Sequence, residues 1–172
     1  MPSTSIGQSA FDILSADHEE VAAMVESFER TTQPQRKHIA TAICQALTVH
    51  TSIEEGVFYP AARQGADDEL VALLDRAQAE HQSIRNLIVQ IESLLESSAT
   101  DEMLKMMVSK LAKRVEAHVL EEEDEIFPLV KDADVDEEAL GDQLAQRKVE
   151  LSRASSPVTT PIAGQPPKAA VT

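Results

Sequence analysis

Residues 50–60 read HTSIEEGVFYP, and residues 118–128 read HVLEEEDEIFP. When the two stretches are aligned, both begin with His, carry Glu-Glu at the fifth and sixth positions, and close on an aromatic residue followed by Pro. Each is preceded upstream by an acid-His pair, Asp17-His18 for the first and Glu80-His81 for the second. The chain therefore contains one unit twice, and such an internal repeat indicates how the fold is assembled.

The repeated units lie in four segments whose apolar residues recur at helical spacing. Breaks are predicted at residues 31–34, 65–68 and 97–101, and the second and fourth helices are predicted to end at Pro60 and Pro128. Four amphipathic helices with short connections, and no alternating strand pattern, predict an all-α fold. The specific prediction is an antiparallel up-down four-helix bundle.

The composition along the chain predicts its domain organisation. Residues 1–9 are rich in small polar residues and are predicted to be flexible, whereas residues 10–130 form the bundle. Residues 131–154 are predicted to be a C-terminal helical extension with a short, weaker fifth helix. Residues 155–172 are rich in Pro, Ser, Thr and Ala, and this composition predicts a disordered tail because it cannot bury enough apolar surface to fold.

The overall composition excludes several classes of function. A formal net charge of −15 argues against a nucleic-acid partner. A single cysteine, Cys44, excludes an intramolecular disulfide framework and thiolate metal clusters. No apolar run approaches the ~20 residues of a membrane span, and no basic stretch followed by an apolar run opens the chain. The sequence therefore predicts a cytoplasmic protein without a membrane partner.

Polar residues on the apolar stripes indicate a metal centre. Each helix carries one histidine on its stripe, namely His18, His50, His81 and His118. One turn after the second and the fourth of these, Glu54 and Glu122 project from the same helix face as the preceding histidine. Carboxylates in a bundle core are costly to desolvate without partners, and a cation converts their mutual repulsion into a shared attraction. We therefore predict that these six side chains bind metal.

Each piece of this pattern has a more ordinary explanation when it stands alone. A histidine on an apolar stripe is more often a core or boundary residue, and a single His-x-x-x-Glu pair is common on helix surfaces. The duplication favours the metal, because the ordinary explanation would have to apply to both halves of the repeat. His38 lies outside the repeated units and is predicted to be a surface residue.

The ligand types narrow the choice of metal. Imidazole and carboxylate without thiolate suit iron, manganese or zinc. Six side chains exceed what one tetrahedral zinc ion takes, and no His-Glu-x-x-His motif is present, so two metal ions bridged by carboxylates fit better. The Glu-x-x-His motif of ferritin-like di-iron bundles is also absent.

These motifs resemble the hemerythrin-like family, also called the HHE cation-binding domain, over about residues 10 to 130. The resemblance implies a four-helix bundle that holds two iron ions joined by an oxo or hydroxo bridge. It also implies that His18 and His50 would hold one iron and His81 and His118 the other, with Glu54 and Glu122 as bridges. A set of four His and two Glu resembles the di-iron domain of the iron-centre repair proteins and other bacterial hemerythrin-like domains more than the oxygen carriers.

The chain departs from the oxygen-carrying members of that family. Those proteins have a fifth His one turn after the third-helix His, where this chain has Arg85, which cannot ligate a metal. Their last ligand is an Asp at the position of Glu123, whereas Glu122 repeats the His50–Glu54 spacing, and we favour Glu122 as the bridge. Arg85 would lie near an open side of the centre or extend to solvent. Tyr59 is interpreted as a packing residue at a helix end.

The resemblance leaves three functions in competition, and no residue is assigned a catalytic role. In all three, both irons would keep an open position, which favours binding or reducing small oxidants such as O2, peroxide or NO over simple oxygen carriage. The first function is binding or sensing without turnover, and the second is an enzymatic reaction such as peroxide disproportionation. The third is iron handling, in which iron is donated to damaged iron centres.

Overall fold

The computed structural model describes residues 8–133 and 135–154, and every regular element within them is helical. The seven α-helices of this part of the chain are α1 (Ala10–Arg30), α2 (Gln33–Ile53), α3 (Tyr59–Ala62), α4 (Asp68–Glu96), α5 (Asp101–Glu121), α6 (Phe127–Asp132) and α7 (Glu137–Ala154). The all-α, antiparallel four-helix bundle is confirmed, and α7 is the fifth long helix. The predicted flexible residues 1–7 and the predicted disordered tail, residues 155–172, lie outside the described residues.

Side-chain caps mark where α1, α4 and α5 begin. The hydroxyl of Ser9 accepts a hydrogen bond from the amide of Asp12 at 3.3 Å, and the Asp67 carboxylate accepts one from Leu70 at 2.9 Å. Thr100 caps α5 in the same way. Each cap satisfies an amide that the first turn of a helix leaves without a partner.

The predicted ends of the second and fourth helices at Pro60 and Pro128 are wrong. The chain passes from α2 into α3 through a π-helical turn, Glu54–Phe58, and from α5 into α6 through a second one, Glu122–Ile126. Each proline stands near the start of the α-helical segment that follows its π turn. The ring and the missing amide hydrogen of proline disrupt an ordinary helix interior, but they are tolerated at a first turn, where the hydrogen-bond register has just changed.

Two apolar clusters of the bundle enclose a polar layer. One cluster is aromatic in part, because Phe11, Phe58 and Phe127 meet with ring centroids 5.0 to 6.0 Å apart. The other is aliphatic and includes Leu47 and Ile84. The buried polar residues of the repeat lie between the two clusters, so the core isolates them from solvent on both sides.

Helix α7 packs across α1 and α2, and its own residues Leu140 and Leu144 are buried. It approaches the start of α1 so closely that a Cβ atom at Gly141 would overlap the carbonyl oxygen of Gln8. Over the described residues, no helix combines the length and the apolar character that a membrane span needs.

Candidate metal centre

The fold brings all six predicted ligands into one buried layer. One histidine comes from each of α1, α2, α4 and α5, and one glutamate begins each π turn. The side chains are His18, His50, Glu54, His81, His118 and Glu122, and all are between 0% and 8% exposed. The π turns start at the two glutamates, so both acids are presented at the point where the backbone widens, a feature that is frequent at functional sites.

The first group of donor atoms belongs to His18, His50, Glu54 and Glu122, whose candidate ligand atoms all lie within 4.8 Å of one another. The Nε2 atoms of His18 and His50 are 3.1 Å apart. Glu54 Oε1 lies 3.1 Å from His50 Nε2, and Glu122 Oε2 lies 3.4 Å from His18 Nε2. Two ligands held at about 2.1 Å from one ion and at a right angle are about 3 Å apart, so these spacings fit a shared cation.

The second group belongs to Glu54, His81 and His118. The Nε2 atoms of the two histidines are 3.0 Å apart, and Glu54 Oε2 lies 3.1 Å from His81 Nε2. Glu54 therefore presents one oxygen to each group. Glu122 also reaches the second group, since its Oε2 atom is 3.9 Å from His118 Nε2.

A second set of carboxylates orients the four imidazoles from behind. Each histidine turns its Nδ1 atom outward to an acid on another helix or turn: His18 to Glu123 at 2.7 Å, His50 to Asp17 at 3.5 Å, His81 to Glu55 at 2.9 Å and His118 to Glu80 at 3.0 Å. An Nδ1–H that donates to a carboxylate leaves the Nε2 lone pair facing the centre, which is the tautomer that ligates metal.

The acceptor atoms at the centre fit a cation. Neither carboxylate oxygen of Glu54 or Glu122 has a hydrogen-bond donor among the described residues, although all four atoms are buried. Buried anionic oxygens without donors are strongly destabilising, and a metal ion supplies the missing positive charge. Imidazole nitrogen with carboxylate oxygen and no thiolate is a donor set for iron, manganese or zinc. The two groups have Glu54 in common.

The pKa values of the side chains in the absence of metal also indicate that the centre requires positive charge. Burial opposes a charge on His50, but Glu54 and Asp17 outweigh it and raise its pKa to about 10. Burial and the neighbouring Glu54 carboxylate raise the pKa of Glu122 to about 7. Without metal, protons held by His50 and Glu122 therefore offset part of the negative charge of the centre, and metal binding displaces them.

Two side chains take positions that the sequence did not predict. Tyr59 is buried, its ring stacks on His81 with centroids 5.4 Å apart, and its hydroxyl lies 3.3 Å from His81 Nε2. The phenol is therefore among the groups that could contact a metal. Arg85 lies behind the centre, where its guanidinium donates to Glu55 Oε1 at 2.6 Å, the same atom that accepts from His81.

Two residues outside the repeat have no part in the centre, and His38 is at the surface as predicted. His38 is exposed on α2. Cys44 is buried, and desolvation raises the pKa of its thiol to about 12, so it stays protonated and unreactive at neutral pH.

Comparison with known protein families identifies the chain. Residues 9–130 match the model of the hemerythrin HHE cation-binding domain. Because this match covers more than half of the chain, the protein belongs to that family. Comparison with curated proteins and with solved structures gives no match.

The supporting acids are the functional residues that sequence reasoning missed. A signal for them was present, because Asp17 and Glu80 precede motif histidines and Glu55 and Glu123 follow motif glutamates. What the sequence could not reveal is the pairing, since each acid serves a histidine on a different element.

Proposed function

We propose that this protein is a non-haem di-iron protein that binds or reduces small oxidants, such as O2, peroxide or NO, at a buried centre. The observation that carries the proposal is the arrangement of two donor groups around one shared carboxylate, Glu54. Membership of a cation-binding family supports it independently.

The ligand chemistry favours a pair of iron ions over one zinc ion. A closed zinc site takes four ligands, whereas seven donor contacts converge here from six side chains when both oxygens of Glu54 are counted. Carboxylates that bridge two ions inside a helix bundle are the arrangement of di-iron and di-manganese proteins. Iron fits the redox chemistry that we propose, because a pair of ferrous ions supplies two electrons to a bound oxidant.

The residues of the chain have distinct tasks in this proposal. The four imidazoles hold the metal positions, and the supporting acids keep their Nε2 atoms aimed inward. The apolar clusters on both sides exclude bulk water. Burial and the neighbouring Glu54 and Glu122 carboxylates raise the pKa of Tyr59, so its hydroxyl keeps its proton and can donate a hydrogen bond into the centre.

The enclosed position of the centre restricts its partners to small molecules. A diatomic ligand or peroxide fits a layer whose ligands are at most 8% exposed, whereas a polymeric substrate does not. We also propose a cytoplasmic location, where the buried free thiol of Cys44 stays reduced.

The test is the iron content and ultraviolet-visible spectrum of the protein purified from iron-supplemented cells. We expect close to two irons per chain, as the donor set of a di-iron bundle requires, with charge-transfer bands of a bridged ferric pair in the near ultraviolet. His50→Ala should remove iron, whereas His38→Ala, which changes an exposed histidine on the same helix, should not. One zinc per chain, or no metal, would contradict the proposal.

Turnover assays then separate binding from catalysis. Rapid O2 release from peroxide that is lost in Glu54→Ala would establish an enzyme. A spectral change on addition of O2 or NO without turnover would establish binding or sensing. Transfer of iron to an apo-cluster acceptor would instead establish iron handling as the function.

A further inference from the structure

Helix α7 lies outside residues 9–130, which match the family model, yet it contacts Asp17, one of the acids that orient the histidines of the candidate metal centre. The helix is anchored by the buried residues Leu140 and Leu144. One turn beyond Leu144, Lys148 extends its ammonium group to the Oδ1 atom of Asp17 on α1. Through this ion pair, α7 contacts one of the acids that orient the imidazoles.

Asp17 uses its two carboxylate oxygens for two different partners. Its Oδ1 atom accepts from Lys148, and its Oδ2 atom accepts from Nδ1 of His50 at 3.5 Å. The Asp17 side chain is 8% exposed, so water cannot substitute freely for either partner. The lysine therefore neutralises a buried carboxylate and fixes the direction in which that carboxylate faces the imidazole.

Comparison of the two halves of the repeat shows that Lys148 is an addition to the shared design. Glu80 is the counterpart of Asp17, and it orients His118 at 3.0 Å. Among residues 8–133 and 135–154, no lysine or arginine nitrogen lies within 4.0 Å of the Glu80 carboxylate. The symmetry of the repeat is thus broken at His50 by a charge that comes from outside the repeat.

We propose that Lys148 is a positioning residue of the metal centre, acting through Asp17 on the imidazole of His50. This inference rests on the proposed function, since it concerns the metal that the centre would hold. Loss of a group that supports a ligand typically weakens metal binding about 10- to 100-fold. Because Lys148 acts one step further out, we expect a loss near the lower end, about tenfold.

The experiment measures Fe²⁺ affinity by chelator competition in the full-length protein and in Lys148→Met, Lys148→Arg and Asp17→Asn variants. Lys148→Met should bind about tenfold more weakly, and Lys148→Arg should recover most of the loss because it keeps the charge. Lys148→Met combined with Asp17→Asn should bind no more weakly than Asp17→Asn alone, since both changes interrupt one path. The matched control is Arg147→Met, which removes an exposed cation from the same helix.

Mössbauer spectra of ⁵⁷Fe-loaded protein provide a readout that simple anchoring of α7 would not change. Lys148→Met should alter the quadrupole doublet of one iron and leave the other unchanged, because only His50 loses its support. Unchanged affinity and spectra in Lys148→Met, or losses that multiply in the double variant, would overturn the inference. Wild-type protein that binds no iron would overturn the proposed function itself, which is a distinguishable result.

Discussion

Each histidine of the centre depends on a carboxylate that no local interaction along the chain could supply. The pairing follows a rule that both halves obey: the acid before the first histidine of a unit orients the second histidine of that unit, as Asp17 does for His50. The second glutamate of a unit orients the first histidine of the other unit, as Glu123 does for His18. The two halves therefore hold each other's ligands in place.

Replacing one supporting acid tests this rule. Glu80→Gln keeps an oxygen that can accept from His118 Nδ1 but removes the negative charge that increases the basicity of the imidazole. We expect iron affinity to fall about tenfold with little change in melting temperature. Glu116→Gln is the control, because it changes an exposed acid on α5. Equal affinities for the two variants would show that the outer carboxylates do not tune the ligands.

The hydroxyl of Tyr59 makes the two halves chemically different. Phe127 occupies the equivalent position in the second unit and stacks on His18, but it has no polar group. In Tyr59→Phe the stacking on His81 is kept and the donor is lost. If the centre reduces peroxide, we expect unchanged iron content and a turnover rate that falls by about 10²-fold or more, a typical effect of losing a proton donor. A variant with full turnover would make Tyr59 a packing residue only, as its position in the sequence suggested.

At this scale the sequence predicts the inward-facing donors better than their surroundings. The six candidate ligands stood out because a duplicated pattern placed them on apolar stripes, and the structure brings them together. Arg85 lay outside the repeated pattern and Tyr59 was interpreted only as a packing residue, because their roles depend on contacts with Glu55 and His81 across the bundle. Such contacts are set by helix packing, which a single sequence does not specify.

At the scale of elements, the π turns explain why the aromatic-Pro pairs were misread as helix ends. Both turns begin at the inward glutamate and finish one residue before an aromatic residue that stacks on a histidine. The wider turn shifts the helix face, so Glu54 and Tyr59 are both buried although they are five residues apart. The prolines mark the change of register instead of a stop.

Two helical glycines should respond to alanine in opposite directions. A Cβ at Gly56, in the first π turn, would meet no atom within 4 Å, so Gly56→Ala should stabilise the fold by about 0.5–1 kcal/mol through lower backbone entropy of the unfolded chain. At Gly141 the added carbon would overlap the backbone of Gln8, so Gly141→Ala should destabilise it by about 1–3 kcal/mol. Urea unfolding of the two variants measures both values. Destabilisation at both positions would mean that the π turn itself depends on glycine.

Over the described residues, the molecule consists of a duplicated pair of helices and of α7, which lies outside the repeated units. The antiparallel bundle was predictable, because hydrophobic periodicity fixes the inward faces and short connections fix the neighbours. The docking of α7 was not, since its stripe of Leu140 and Leu144 is short and its closest approach depends on one glycine. The centre gains from α7 a cation that the duplicated part of the chain does not provide at Asp17.

Since protons on the histidines offset the buried carboxylates when metal is removed, the metal-free protein should lose stability as pH rises. The pKa of His50 is raised in the folded state to about 10, and Glu54 and Glu122 hold the pKa values of His81 and His18 above their usual range despite burial. A raised histidine pKa contributes stability that is complete below about pH 6.5 and is lost as pH rises through the folded value. Between pH 7 and 9 the folded state therefore holds more protons than the unfolded state. For each extra proton that the folded state holds, the free energy of unfolding falls by about 1.4 kcal/mol for every unit by which pH rises.

Iron should abolish this loss of stability, because the ion takes over the role of the protons and binds more tightly once they have left. Urea denaturation of chelator-stripped and iron-loaded protein at pH 7 and pH 9 measures the difference. We expect the stripped protein to be less stable at pH 9 than at pH 7, and the loaded protein to be equally stable at both. In the stripped protein, His50→Ala should reduce the change in the free energy of unfolding between pH 7 and pH 9, since it removes the histidine with the highest folded-state pKa value given above. A stripped protein that is more stable at pH 9 than at pH 7 would contradict a centre held together by protons in the absence of metal.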